Sequence, residues 1–121
     1  MATGWSTGAA NNALDEVAAD YTWIQLHTGD PGAAGTANVA SNSTRQQVTW
    51  GSASNGAMTS TNDLEWTNVP AAEDYTHFTA WSAATEGNFG FSGTITANAV
   101  TVGDDFTIPA GDLDVSLTVA S

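Results

Sequence analysis

The sequence contains no cysteine and no lysine, and both absences exclude whole classes of function. Without cysteine there is no disulfide framework, no thiolate metal site and no cysteine nucleophile. A single basic residue, Arg45, stands against thirteen aspartates and glutamates, which gives a formal net charge of −12. Phosphate binding requires a cationic surface. We therefore expect neither nucleic acid nor a membrane as a partner.

Long apolar runs are also missing. No stretch approaches the roughly 18 apolar residues of a membrane span, and the N-terminus lacks the cationic start and apolar core of a signal peptide. We expect a soluble chain with no processed leader. Its 121 residues suffice for one hydrophobic core, so we expect an N-terminal arm over residues 1–8 and a single domain over residues 9–121.

The acidic residues are spread along the chain rather than gathered in a tail, so we expect them on the surface of a folded domain. Their mutual repulsion reaches about 30 Å at low salt but only about 3 Å at 1 M salt. A high acid content without lysine is typical of proteins from extreme halophiles. We expect a halophilic, archaeal source; an acidic secreted or virion protein of an ordinary host is the alternative.

One amphipathic helix is predicted, over residues 9–21. Ala10, Leu14, Val17 and Tyr21 recur at spacings of three and four residues, which places them on one helix face. A helix this short is stable only when its apolar face packs against other structure. We therefore expect it to lie against a sheet.

The stretch Thr22–Gly32 predicts a strand that ends in a rigid corner. Apolar and polar residues alternate up to His27, and the sequence Gly-Asp-Pro-Gly follows. Glycine supplies positive φ, aspartate can accept a hydrogen bond from its own backbone, and proline fixes φ near −65°. Residues 33–44 are small and polar without periodicity, which predicts a long surface loop.

Period-two alternation then predicts a further series of short strands after the loop. Gly90 and Gly93 leave room for bulges or close backbone approach. No crossover helices separate the strands, so the pattern predicts a mainly β fold: an antiparallel β-sandwich or jelly-roll-like domain with one short N-terminal helix. The strands that follow the loop are predicted at residues 45–50, 57–61, 63–69, 75–82, 89–95, 99–102, 106–108 and 113–119.

The two histidines, His27 and His77, are the first candidates for chemistry. Asp30 lies three residues after His27, so a serine, histidine and aspartate triad is arithmetically possible. No serine lies in a nucleophile-elbow motif. We expect His27 to hydrogen-bond the corner that follows it and His77 to be a satisfied, half-buried residue of its strand.

Pairs of carboxylates could indicate a glycosidase or a cation site. Asp63 and Glu65 share a strand face, as do Asp112 and Asp114, and the 104–105 pair lies nearby, where Ca²⁺ or Na⁺ binding is conceivable. Acids on exposed faces are, however, the expected background of such a surface. We assign no catalytic, cofactor-binding or metal-binding residue.

Arg45 and the five tryptophans are the remaining candidates for a structural or binding role. We expect Arg45 to have a structural role, either as a salt-bridge anchor or with its guanidinium stacked on Trp50 or another aromatic ring. Most of the five tryptophans should lie in the core. Trp5 either packs back on the domain or inserts into a neighbouring subunit.

Four sequence blocks, taken in order, resemble a known family. The family consists of small structural proteins of tailed viruses, common in actinobacterial phages and usually labelled tail-fibre-like or minor tail proteins. The resemblance implies a virion component without catalysis, built as a compact β domain and displayed in many copies. The blocks are LHTGDPG at Leu26–Gly32, RQQVTW at Arg45–Trp50, YTHFTAWSA at Tyr75–Ala83 and DFTIPAGDLDVSLT at Asp105–Thr118.

The position on the virion is left open by this resemblance. The chain has no long shaft, and its size resembles that of head-decoration proteins. We therefore expect a capsid decoration or turret protein that binds the major capsid protein and forms a homo-oligomer such as a trimer, with Trp5 as a candidate contact. The alternative is a tail-fibre or tail-tip module that binds host glycan or surface-layer protein through exposed tryptophans and the loop at residues 33–44. A carbohydrate-active enzyme, with two carboxylates about 5–10 Å apart in a cleft, is a third possibility.

Overall fold

A computed structural model describes residues 3–120, apart from the side chains of residues 97 and 98. Residues 1 and 2 of the predicted N-terminal arm, and residue 121, lie outside this part. The described chain forms one helix and then eight strands, which confirms the mainly β class. Their bounds are α1 Thr7–Asp20, β1 Trp23–His27, β2 Gln46–Gln47, β3 Ala57–Thr59, β4 Leu64–Trp66, β5 Glu73–Trp81, β6 Phe89–Val100, β7 Phe106–Ile108 and β8 Asp114–Ser116.

The helix α1 begins two residues before its predicted start and ends one residue before its predicted end. The reason for the early start is Ser6, which adopts an extended conformation and accepts a hydrogen bond from the Ala9 N–H at 3.2 Å. Such a cap satisfies one of the backbone donors left open at a helix start. The predicted apolar face is confirmed at Ala10 and Leu14, which are fully buried. No helix in residues 3–120 is long and apolar enough to cross a membrane.

The main sheet has four antiparallel strands in the order β2, β1, β5, β6. The strand β1 is buried on both faces, and Ile24 and Leu26 point into the core while Gln25 and His27 are buried on the opposite, outer face. The predicted central strand at residues 75–82 is confirmed as β5. It starts earlier than predicted because Glu73 continues the pairing with β6.

Two short ribbons, β3 with β8 and β4 with β7, complete the antiparallel structure. Leu64 and Trp66 of β4 are buried, but the alternation does not continue over the whole strand predicted at residues 63–69. Asn68 has a φ of 53°, a left-handed conformation that reverses which side of the chain faces inward. As a result Val69 is fully buried and Asn68 is exposed.

Other strand boundaries also differ from the prediction. The segments at residues 89–95 and 99–102 form one strand, β6, of 12 residues. Its register against β5 shifts between Tyr75 and His77, which pair with Asn98 and Thr94. The resulting bulge takes up the small polar residues that suggested a break. The strands predicted at residues 45–50, 57–61 and 113–119 are all shorter than expected.

The core lies between the main sheet and the two ribbons. Aromatic rings meet there at centroid distances of 4.9 Å between Tyr75 and Phe106 and 5.9 Å between Trp66 and Phe106. The core members are Ile24, Leu26, Ala40, Val48, Leu64, Trp66, Val69, Tyr75, Phe78, Ala80, Val100, Phe106, Ile108 and Leu113.

Two glycine substitutions should have opposite effects on stability. A Cβ on Gly93 would lie 2.7 Å from the ring of the buried Phe78, so we expect Gly93→Ala to lower the free energy of unfolding by about 1–3 kcal/mol. A Cβ on Gly8 would meet nothing within 4 Å, so Gly8→Ala should raise it by about 0.5–1 kcal/mol through its better helix propensity. Urea denaturation measures both changes in the free energy of unfolding. If both substitutions changed it in the same direction, the close packing at Gly93 would be contradicted.

Candidate functional surface

The long connection between β1 and β2, residues 28–45, returns along the edge of β1, where Val39 forms an antiparallel bridge with His27, and we call it the β1–β2 loop. Its start is held by backbone hydrogen bonds from Thr28 N–H to the Asn38 carbonyl (2.9 Å) and from Ala40 N–H to the Leu26 carbonyl (3.1 Å). Further on, the Glu73 carboxylate accepts a hydrogen bond from Ser41 N–H at 2.8 Å. The predicted surface loop is therefore confirmed, and it is fixed to the sheet along its length.

The predicted corner at the start of this loop has the expected chemistry. The Asp30 carboxylate accepts a hydrogen bond from the Gly32 N–H at 2.9 Å, and Gly32 has a φ of 76°. The Asn38 side-chain amide donates to the Asp30 carbonyl, also at 2.9 Å. Asn38 itself is in the left-handed region, at φ 55°, which asparagine tolerates better than most residues. The corner and the returning chain thus hold each other in place.

A buried polar chain lies beneath the loop. His27 is fully buried; its Nδ1 lies 2.8 Å from the Ala37 carbonyl oxygen and its Nε2 lies 2.8 Å from the Thr79 hydroxyl. Since a carbonyl only accepts, Nδ1 carries the proton and Nε2 accepts from Thr79. The Thr79 oxygen in turn accepts from the Trp81 indole N–H at 2.7 Å. Every polar atom of this chain is satisfied when His27 is neutral.

This arrangement predicts a pH dependence of stability. Burial lowers the pKa of His27, and the hydrogen bond with the Ala37 carbonyl only partly offsets this effect. Below about pH 6.5 the unfolded chain takes up a proton at this residue while the folded protein resists it. We therefore expect the free energy of unfolding to fall as the pH drops below about 6.5, and to level off once the folded form is also protonated.

Guanidinium denaturation of the wild type at intervals from pH 7.5 to 5 would measure this loss. The His27→Gln variant should lose the pH-dependent part of the stability, whatever its absolute stability. His77→Gln is the matched control because it removes the other histidine, which is half-buried and bonded to the Thr76 hydroxyl. If His77→Gln abolishes the pH dependence of stability instead, then His77, and not His27, is the residue responsible.

Arg45, at the end of the loop, fixes it to the connection between β5 and β6. Its guanidinium lies over the Trp81 ring at 4.3 Å from the centroid. Its Nη1 donates to the carbonyl oxygens of Ala83 at 2.8 Å and Glu86 at 2.7 Å. The predicted structural role with aromatic stacking is found, but the ring is Trp81 rather than Trp50. Burial lowers the pKa of Arg45, and the group still remains charged at neutral pH.

Three of the six carboxylates that suggested a catalytic or cation site, Asp63, Asp104 and Asp105, accept hydrogen bonds from backbone N–H groups. Asp63 binds the Ala110 N–H at 2.8 Å, and Asp105 binds the Asn68 N–H at 3.0 Å. Asp104 binds the N–H of Thr101, within its own turn. In residues 3–120 no three acidic or histidine side chains are grouped as metal ligands would be. Asp63, Asp104 and Asp105 therefore act as loop anchors.

The histidine triad considered above does not form. The Asp30 carboxylate is directed to the Gly32 N–H, and the partners of His27 are Ala37 and Thr79. The sequence did not indicate Thr79, because it lies 52 residues from His27 and carries no motif. The predicted hydrogen bond from His27 to the corner is wrong, because its Nδ1 donates to the Ala37 carbonyl, beyond the corner.

The tryptophans are less buried than predicted. Only Trp66 and Trp81 belong to the buried residues, while Trp23 and Trp50 are half-buried. Trp5 is 47 % exposed although its backbone is held beside the Thr118 to Ala120 segment. Its arm therefore packs back on the domain while much of its ring stays in solvent. Among the described residues no pair of exposed tryptophans forms a groove.

The large hydrophobic side chains exposed in residues 3–120 are scattered: Trp5, Val39 and Val102 lie in separate parts of the chain. The outward side of the β1–β2 loop is exposed over residues 32–34 and 36–39. It presents small side chains such as Ala33, Ala34 and Thr36.

Comparison with known proteins identifies the family of this chain. No curated protein matches the chain. A family described as Podophage GP4 fiber I protein gp80 matches residues 4–116 of the 121. This match includes the helix and every strand of the fold, and it confirms the resemblance to tail-fibre-like proteins of tailed viruses. The chain belongs to this fibre family and is a structural protein of a tailed virus.

Proposed function

We propose that this protein is a component of a tail fibre and that its β1–β2 loop contacts the surface of the host cell. The observation that carries the proposal is the match to a fibre family over residues 4–116. That match gives no support to the capsid decoration expected first from the sequence. It agrees better with the tail placement that was the alternative.

The geometry of the loop supports a role in recognition. Its backbone is held at the corner, at His27 and at Glu73, so binding would require little ordering of the chain. Its outward residues carry hydroxyl, amide and methyl groups, with Asp30 as the carboxylate at the corner. Such a surface suits a neutral, hydrogen-bonding partner such as a host glycan or a surface-layer protein. The net charge of −12 supports a host that lives in high salt.

The first test is to locate the protein on the virion. Purified particles are separated into heads and tails at molar salt, and the protein is quantified in each fraction by mass spectrometry. We expect it with the tails, in a small copy number relative to the shell protein. Recovery with the heads at a copy number similar to that of the shell protein would overturn the tail placement and favour capsid decoration.

The second test addresses host contact by the loop. Purified protein added in excess should reduce adsorption of the virus to host cells. The Thr36→Arg variant, altered at an exposed loop position, should compete at least tenfold less well, whereas Thr118→Arg carries the same change away from the loop and should compete like the wild type. Equal competition by both variants would remove the loop from the binding surface.

A further inference from the structure

The hairpin that leads into β3 turns on the only Asn-Gly pair of the sequence, Asn55–Gly56. Ser54 and Ala57 exchange two backbone hydrogen bonds, of 2.8 Å and 3.0 Å, and the residues between them both have positive φ, 53° for Asn55 and 75° for Gly56. Asparagine followed by glycine is the preferred pair for a two-residue turn of this kind. A Cβ on residue 56 would overlap the Val119 side chain, so the fold requires glycine there.

Asparagine followed by glycine is also the pair most prone to lose its side-chain amide. The backbone nitrogen of the glycine gives up its proton and attacks Cγ of the asparagine. A bond forms between these two atoms, the C–N bond of the amide breaks, and ammonia leaves with the proton. Water then opens the resulting ring, which leaves aspartate or isoaspartate. Glycine favours the attack because it has no Cβ to hinder its nitrogen or to restrict the backbone.

The helix α1 holds the nitrogen that would react. The Asn11 side-chain oxygen accepts a hydrogen bond from the Gly56 N–H at 2.9 Å. One helical turn further on, the Asp15 carboxylate accepts another from the Ala53 N–H, also at 2.9 Å. The Asn55 side chain is exposed to water, whereas Gly56 is buried. A base in solvent therefore cannot take the proton from Gly56 until the contact with α1 opens, as in the local opening that limits amide hydrogen exchange.

We propose that Asn55 is a deamidation site of this chain and that Asn11 controls its rate by holding the Gly56 N–H. The reaction proceeds when the hairpin separates from α1, so the product accumulates with the age of the protein. Isoaspartate adds a carbon atom to the main chain within a two-residue turn and so disturbs the hairpin. Either product adds a negative charge to a chain of net charge −12, in a hairpin that Asp15 already contacts.

The rate of deamidation tests this proposal. Folded protein is incubated at mildly alkaline pH in molar salt, and peptide mass spectrometry follows the conversion of Asn55 with time. The wild type unfolded in guanidinium gives the unprotected rate, and we expect the folded wild type to react at least tenfold more slowly. Asn11→Ala should react at least threefold faster than the folded wild type. Asn12→Ala changes an exposed neighbour on the same helix and should react like the wild type.

A second variant and an internal reference separate local opening from global unfolding. Asn11→Asp keeps an oxygen that can accept from the Gly56 N–H, so it should react as slowly as the wild type. Asn42, which precedes a serine and is buried, should react faster only if the whole chain unfolds. Acceleration by Asn11→Ala at Asn55 alone would support the proposal. A folded wild type as fast as the unfolded chain, no acceleration by Asn11→Ala, or equal acceleration at Asn42 would overturn it.

Discussion

Replacing Arg45 by alanine is expected to lower the free energy of unfolding by about 2–4 kcal/mol. The side chain donates two charge-assisted hydrogen bonds to carbonyl oxygens and stacks on Trp81. Hydrogen bonds of that kind contribute about 1.5–3 kcal/mol each, and a cation over an indole about 0.5–2 kcal/mol, from which the cost of ordering the long side chain is subtracted. Urea denaturation at constant high salt measures the difference.

Two control variants separate the possible causes of this loss. Arg45→Lys keeps the charge but cannot stack a planar guanidinium on Trp81, so it should recover less than half of the stability. Glu86→Gln removes a carboxylate while leaving the backbone carbonyl that Arg45 binds, so it should match the wild type. A loss in Glu86→Gln as large as that in Arg45→Ala would show that the carboxylate, rather than the carbonyl, is the partner.

Replacing Thr79 by valine is expected to cost about 2–4 kcal/mol although the two side chains have nearly the same shape. The change removes the hydroxyl that donates to His27 and accepts from the Trp81 indole N–H. Both partners are then left unpaired in the interior, and each unsatisfied buried group costs about 1–3 kcal/mol. The effect should appear in chemical denaturation at pH 7.5, where His27 is neutral.

Thr79→Ser is the matched control because it keeps the hydroxyl and removes only a methyl group. It should lose about 1 kcal/mol, the value of one buried carbon atom. If valine were tolerated as well as serine, the polar chain beneath the loop would contribute nothing to stability. The pH dependence assigned to His27 would then need another explanation.

The local sequence pattern was sufficient to predict those elements whose burial follows directly from the alternation of apolar and polar residues. The strand β7 was predicted at its observed bounds, because Phe106 and Ile108 are buried on either side of an exposed Thr107. The central strand β5 and the Asp30 turn were likewise predicted from residues adjacent in sequence. Alternation failed at Asn68, since a left-handed residue reverses which side of the chain faces inward, and an asparagine permits that conformation without requiring it.

Contacts between distant parts of the chain could not be predicted. Arg45 was expected to stack, but the choice of Trp81 over the nearby Trp50 depends on the path of the loop relative to β5. The pairing of His27 with Thr79 depends in the same way on the register of β1 and β5. Such register is set by the packing of whole strands rather than by any motif. The family, in contrast, was predicted because it rests on the order of several sequence blocks.

The way in which the β1–β2 loop is attached to the sheet determines which of its residues can be exchanged without loss of stability. Most of its attachments use main-chain atoms, such as the carbonyls of Ala37 and Asn38 and the N–H groups of Thr28 and Ala40. Exchanges at its outward positions therefore remove none of these bonds, and surface substitutions of this kind change stability by about 0.5 kcal/mol or less. Under the host contact proposed above, such a loop can diversify while its frame is conserved, so its specificity can evolve faster than its fold.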